Sequence, residues 1–185
     1  MRIQTSQDPN IESILALHTL AFGRDKQGPE VAQLTDDLLH DPSALPLYSF
    51  IAEQDDQVVG HILFTQARLA SDKSHAIQAQ ILAPLAVHPN YQRRGIGQSL
   101  IQLGLETLES DGIDLVFVLG HPEYYPKAGF EVAAHYNLQA PYPILPKYTD
   151  AWMVKALSPN ILGNISSTVL CAKALDKEEH WQADE

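Results

Sequence analysis

The stretch from residue 81 to residue 108, ILAPLAVHPNYQRRGIGQSLIQLGLETL, constrains this chain more than any other. An apolar run stops at a His-Pro-Asn turn. A short basic loop with two glycines follows. Apolar residues then recur at helical spacing, with Leu100, Ile101, Leu105 and Leu108 on one side and Gly112 as the stop. A strand ending at the foot of a helix aims the helix's free N–H groups into open space. Those groups, with the dipole behind them, favour an anion. Gly95 and Gly97 let backbone approach a bulky ligand without a Cβ in the way. Arg93 and Arg94 bring charge complementary to phosphate. The same pattern also suits a plain strand-to-helix turn with glycines for tight packing, and spacing alone leaves both open. It is neither a P-loop nor the dinucleotide fingerprint, since G-x-x-x-x-G-K-[ST] and G-x-G-x-x-G are both absent.

Composition frames that loop. At 185 residues the chain suits one domain, or one domain with an appendage, and is long enough for a real core. Hydrophobic residues make up 45% and charged residues 19%, the balance of an ordinary globular protein. The charge is acidic, 23 Asp and Glu against 12 Lys and Arg, for a net −11. This argues against general nucleic-acid binding, which needs basic surface to neutralise phosphates. It favours solubility, and it is compatible with attracting cationic small molecules. No apolar run approaches the ~20 residues that span a bilayer. The opening MRIQTSQDPN lacks the apolar core of a secretory signal. Cys171 is the one cysteine, which allows no internal disulfide. A cytoplasmic monomer or homodimer is expected, without nucleic-acid or membrane partners.

RIQT reads as a short strand, and NIESILALHTLAFG as a helix with Asn10 as N-cap and Gly23 as stop. GPEVAQLTDDLLHD is a second amphipathic helix. LYSFIAEQDDQVVGHILFTQARL predicts a hairpin turning at EQDDQ. The next strand is HAIQAQILAPLAVHP, where Pro84 cannot donate to a ladder, so a bulge or an edge is expected. Past the long helix, IDLVFVLG is a buried strand and PEYYPKAGFEV a short helix or turn that enters a strand. APYPILPKY reads as an irregular loop, AWMVKAL and STVLCAKAL as late strands. DKEEHWQADE, from about residue 176, is a charged tail with the composition of a disordered end. The order implies a mixed α/β sheet with helices packed on it.

LAVHPNYQRRGIGQSLI resembles the acetyl-CoA-binding motif of the GNAT superfamily of N-acetyltransferases, whose core is Q/R-x-x-G-x-G/A. Gln92, Gly95 and Gly97 stand at its three fixed positions. Downstream, LVFVLGHPEYYPKAGFE is similar to that superfamily's next strand and its Tyr-x-x-x-Gly-Phe turn, matched by Tyr125, Gly129 and Phe130. The run VLGHPEYYPKAGF is similar to the YhbS-like branch. Two motifs in the right order are more specific than either alone.

The resemblance implies an α/β (α+β) fold: a mixed, mostly antiparallel central sheet, splayed between the fourth and fifth strands, with helices on both faces. Residues 1–137 would form the acetyl-CoA-binding core. Residues 138–185 would complete the sheet and the acceptor pocket. Acetyl-CoA, the implied cosubstrate, would wedge into the opening, its pantetheine pairing with Leu85, Ala86 and Val87. Its pyrophosphate would sit on the N–H groups of Arg93, Arg94, Gly95, Ile96, Gly97 and Gln98, and Ser99 would add a hydroxyl. No metal is expected, because the histidines are scattered without ligand spacing.

The implied chemistry is direct acetyl transfer to a primary amine in a ternary complex. Backbone N–H at Val87 would stabilise the oxyanion. Tyr125 occupies the general-acid position, and a phenol pKa near ~10 suits donation to a thiolate. Tyr124 is its rival; one of the pair should face the opening and the other pack. The expected fourth strand carries Gln78 and Gln80 where the superfamily often has a Glu base. His61, with an unperturbed pKa near ~6.5, is a candidate base. His121 is another, and a water relay serves by default. Trp152, Trp181 and Cys171 read as core or tail contacts. A CoA-binding module without catalysis, acting as sensor or partner subunit, is the competing function, and a generic phosphate-ligand domain a third. The acceptor amine and acyl chain length stay open.

Overall fold

The computed structural model describes residues 1–7, 10–74 and 76–182. Its elements, in chain order, are β1 (Arg2–Thr5), α1 (Ile11–Ala21), α2 (Gln27–His40), β2 (Tyr48–Gln54), β3 (Gln57–Leu69), β4 (Ala79–Val87), α3 (Ile96–Ser110), β5 (Leu115–Leu119), β6 (Glu131–Val132), β7 (Leu138–Gln139), β8 (Trp152–Ala156) and β9 (Ser167–Leu170). The strands lie in the order β1-β2-β3-β4-β5-β8-β6, and β9 pairs with both β3 and β7. The β4–β5 and β7–β9 pairs are parallel and the others antiparallel. The β2–β3 hairpin turns on Asp55 and Asp56, both at positive φ (50° and 59°). A two-residue hairpin turn of matching twist needs that conformation, and Asp tolerates it.

Alternation along the strands divides the core. On β2, Phe50 and Ala52 join the cluster under α3, whereas Ile51 joins the one under α1. On β5, Val116 and Val118 face α3 while Leu115 and Phe117 face the opposite layer. There Leu38 of α2 meets Trp152 and Trp181. Helices therefore cover both faces. No helix among the described residues is long and apolar enough to cross a membrane.

The sheet parts at one place. Residues 79–81 of β4 pair with residues 115–117 of β5, and beyond them the two strands have no pairing. Opposite, Ile62 aligns with Leu85 and Phe64 with Leu82, so β4 carries one extra residue, a bulge at Ala83 and Pro84. This is the irregularity that Pro84 predicts. The strand expected from residue 75 begins at Ala79; His75 itself lies outside the described residues.

Two local expectations are corrected. Asn10 does not cap α1: its backbone is helical and its side chain instead accepts from the Gln7 N–H at 3.0 Å. The charged tail, through residue 182, is not free. Trp181 is 3% exposed, lies edge-on to Trp152 at 5.5 Å, and its indole N–H donates to the Leu175 carbonyl at 3.0 Å. Burying one indole is worth about 4–6 kcal/mol of transfer free energy, enough to hold a short polar segment down. Residues 183–185 of that tail lie outside the described residues.

Candidate active site

The parted strands open a cleft of about 940 Å³. Residues 82–85 and 87 of β4 form one wall, and Leu119, Gly120, Tyr124 and Tyr125 the other. At one end stands the loop before α3. At the other, Val31 and Leu34 of α2 meet Trp181 of the C-terminal segment. Because α3 and α2 cover opposite faces, the cleft passes through the sheet.

The loop is held from both sides. Gln92 donates from its side-chain amide to the Val87 carbonyl at 3.1 Å, fastening the loop to the end of β4. His88 accepts from the Asn90 N–H at 3.2 Å. Arg93 is at φ 61° and Gly95 at φ 82°, two left-handed residues that curl the chain into the helix. Gly95 has no side chain to cap α3, and the first turn holds no acidic residue. The N–H groups that open α3 are thus free of a carboxylate cap, beside a cleft wall that includes Ile96, Gly97 and Gln98.

The edge of β4 also faces the opening. The His88 N–H bonds to the Val59 carbonyl on β3 at 2.9 Å. Peptide groups alternate sides along an extended strand, so the Val87 N–H, one residue earlier, points toward the cleft. Amides poised for an anion at one end, and an unpaired strand edge leading inward, suit a long ligand with a diphosphate at one end.

Residues 2–133 match the family model described as an acetyltransferase (GNAT) domain. The chain belongs to the GNAT acetyltransferase family. It is 41% identical over 160 residues to the uncharacterized N-acetyltransferase YjhQ of Escherichia coli strain K12, covering 86% of this chain and 85% of that protein. In fold it is similar to the GNAT family N-acetyltransferase YhbS from Escherichia coli, solved in complex with CoA, at a TM-score of 0.83 and 26% identity, covering 95% of this chain and 92% of that one. A GNAT family acetyltransferase from Brucella melitensis shares the fold at a TM-score of 0.73 and 24% identity, covering 95% of this chain and 97% of that one.

In this GNAT chain the cleft gathers Leu85, Val87, Gln92, Arg93, Gly95, Ile96, Gly97, Gln98 and Tyr125. Four expected site residues stand elsewhere. Ala86 turns its methyl into the cluster under α1. Arg94 lies over the Tyr91 ring, 5.2 Å from its centroid, while Arg93 lines the cleft. Ser99 lies one step beyond the lining residues, its N–H donating to the Gly95 carbonyl. His61 is fully buried, with Nδ1 2.8 Å from His18 Nε2 and Nε2 2.9 Å from Ser49 Oγ. Burial, and the neighbouring His18, hold its pKa well below the usual histidine value. The alternation that points Ile62 toward α3 points His61 toward α1, away from the opening.

Tyr125 and Tyr124 both line the cleft, so the expected division of facing and packing is incomplete. Tyr125 is the more buried, its ring packed edge-on to Phe130 at 5.7 Å and to Tyr124 at 5.2 Å. Burial, and secondarily Tyr124, raise its pKa well above the ordinary tyrosine value. Gly97 serves Tyr124: a Cβ there would stand 2.1 Å from the Tyr124 hydroxyl. His121 lines the cleft and accepts from the Glu123 N–H at 3.2 Å. Sequence reasoning missed His180, which lines the far end. Its one signal was the Trp beside it in an otherwise charged run.

Proposed function

We propose that this protein transfers the acetyl group of acetyl-CoA to a primary amine, by direct attack in a ternary complex. The observation that carries the reading is the unpaired edge of β4 running from the uncapped start of α3 to Tyr125. The residues fit the cosubstrate. Free N–H groups of residues 93–98 would hold the diphosphate, with the Arg93 guanidinium beside them. Leu85 and Val87 would pair with the pantetheine amides as an added strand would. The CoA bound by YhbS supports this reading. Residues 1–137 would hold the cosubstrate, and 138–185 would shape the acceptor end.

The Val87 N–H, aimed into the opening, would polarise the thioester carbonyl and stabilise the oxyanion that forms as the amine attacks. The Tyr125 hydroxyl would protonate the departing sulfur. Its raised pKa keeps it protonated at any working pH. Burial destabilises a thiolate by the same means, which keeps donor and acceptor matched. Confinement of both substrates in one cleft removes most of the entropic cost of encounter.

Titration calorimetry with CoA, together with release of CoA thiol from acetyl-CoA in the presence of primary amines, tests the proposal. Saturable micromolar binding and amine-dependent thiol release are expected. Binding without thiol release for any amine would leave a CoA sensor. No heat at millimolar CoA would end the reading.

A further inference from the structure

Seven lysines stand in the sequence, and one of them lines the cleft. Lys127 belongs to the wall that carries Tyr124 and Tyr125. Three of the others are held at other places. Lys26 pairs with Glu30 at 3.7 Å, and Lys147 lies over the Tyr148 ring, 4.8 Å from its centroid. The Lys155 amine packs against Gly129, where a Cβ would stand 2.6 Å from it. Lys73, Lys173 and Lys177 complete the set, and none of them lines the cleft. A cleft read as a site of transfer to primary amines therefore holds a primary amine of its own.

That amine is free to move on a fixed root. Lys127 is exposed and has no ion pair or hydrogen bond among the described residues. No described residue lining the cleft is a carboxylate, so nothing in the opening pins the ammonium. A flexible four-carbon stem lets Nζ sweep about 6 Å around its Cα. The root lies in the helical turn Tyr125–Ala128, which Pro126 enters and Gly129 ends at φ 84°. The Gly129 N–H donates to the Pro126 carbonyl at 3.0 Å, and the Phe130 N–H to the Tyr125 carbonyl at 3.4 Å. Lys127 is thus held two residues from Tyr125. A nucleophile tethered beside a bound reactant has an effective concentration on the order of mM or more.

We propose that Lys127 is a self-acetylation site: when no external amine fills the cleft, the acetyl group of bound acetyl-CoA passes to Nζ of Lys127 in the same chain. The inference rests on the acetyl-transfer reading. The Lys127 ammonium loses one proton to water. The freed nitrogen bonds to the thioester carbon as the carbon–sulfur bond breaks. The Tyr125 proton goes to sulfur, and a second proton of the attacking nitrogen returns to the Tyr125 oxygen. Acetyl-Lys127 and CoA thiol are the products. The modification turns a cation into a neutral amide. Arg93 and Lys127 are the two charged side chains among the described lining residues, so one cation is left to meet a polyanionic cosubstrate. Affinity for CoA falls, and the protein that lacks an acceptor restrains itself.

The test incubates the parent protein, with no added amine, with acetyl-CoA bearing an isotope-labelled acetyl group, and reads each lysine by peptide mass spectrometry. Lys127 should take up label at least about tenfold faster than any other lysine. Excess CoA should suppress that label and leave the slow labelling of the other lysines unchanged. The rate should not depend on protein concentration. Lys127→Arg keeps the charge, so it should lose the fast site and hold CoA within about twofold of the parent. Lys127→Gln carries the neutral amide of the product and should raise the Kd for CoA about threefold to tenfold. Even labelling of the lysines, unmoved by CoA, overturns the proposal. So does a rate that rises with protein concentration, which marks transfer between molecules. An unlabelled Lys127 in a protein that binds CoA overturns the site and leaves cosubstrate binding intact. Unchanged CoA affinity in Lys127→Gln overturns the restraint. Absence of CoA binding by calorimetry ends the acetyl-transfer reading itself, and this site with it.

Discussion

The Tyr124 hydroxyl occupies the space in which a Cβ on Gly97 would stand, 2.1 Å away. The first turn of α3 and the turn after β5 are therefore fitted across the mouth of the cleft. The Gln98 side-chain amide, donating to the Tyr124 carbonyl at 3.4 Å, reinforces the fit. Gly97→Ala should push Tyr124 aside, raise the Kd for CoA at least tenfold and lower the melting temperature. Tyr124→Phe removes the offending oxygen, and the next ring atom would lie at 3.4 Å, an ordinary contact. The double variant should recover most of the lost affinity, measured by calorimetry in a double-mutant cycle. Additive losses would show that the two residues act separately.

Tyr125 should carry proton delivery and little of the binding. Tyr125→Phe keeps the ring packed against Phe130 and removes the hydroxyl alone. Its kcat should fall about 100-fold while CoA affinity changes less than threefold. With its pKa raised by burial, Tyr125 should impose no alkaline limb on kcat below pH ~10. Retained kcat in the variant would assign the proton to another donor.

The buried pair His18 and His61 should govern acid stability and leave turnover unchanged. Ser6 Oγ donates to Ser49 Oγ at 2.5 Å, and the chain continues through His61 to His18. Burial lowers the His18 pKa from 6.5 to about 3. Between those values the unfolded chain holds the extra proton, so stability present above pH 6.5 is lost as pH falls toward 3. The loss is on the order of a few kcal/mol. Urea midpoints at pH 7 and pH 4.5 should differ accordingly. His61→Gln should flatten that difference and leave the pH profile of kcat/KM in place.

The strand, basic loop and helix around residues 81–108 were legible because their signals are local. The proline bulge, the paired glycines and the helical apolar spacing each act within a turn of the residue that states them. What sequence left open depends on contacts made at long range. Arg93 and Arg94 are equivalent letters until a positive φ turns one into the cleft and Tyr91 takes up the other. His61 reads as a cleft residue until strand alternation turns it toward α1. His180 lay in a run that reads as solvated tail, and only the seat of Trp181 on Trp152 brings it to the site.

That seat makes Trp181 the residue on which the far end of the cleft depends. Its indole joins the core cluster through Trp152, whose own ring stacks on Phe117 of β5 at 5.3 Å and 9°. The same indole faces the cleft beside Leu175. Trp181→Ala leaves a cavity worth about 3–5 kcal/mol of stability and releases the segment that holds His180. The melting temperature should drop. The KM for the primary amine acceptor should rise about tenfold, the equivalent of 1.4 kcal/mol of lost apolar contact. CoA affinity should stay within twofold, because the loop before α3 lies at the other end of the cleft. Steady-state kinetics beside CoA calorimetry separates the two ends. If CoA affinity fell as far as amine affinity, Trp181 would belong to the cosubstrate's path, and the acceptor end would have to be sought elsewhere.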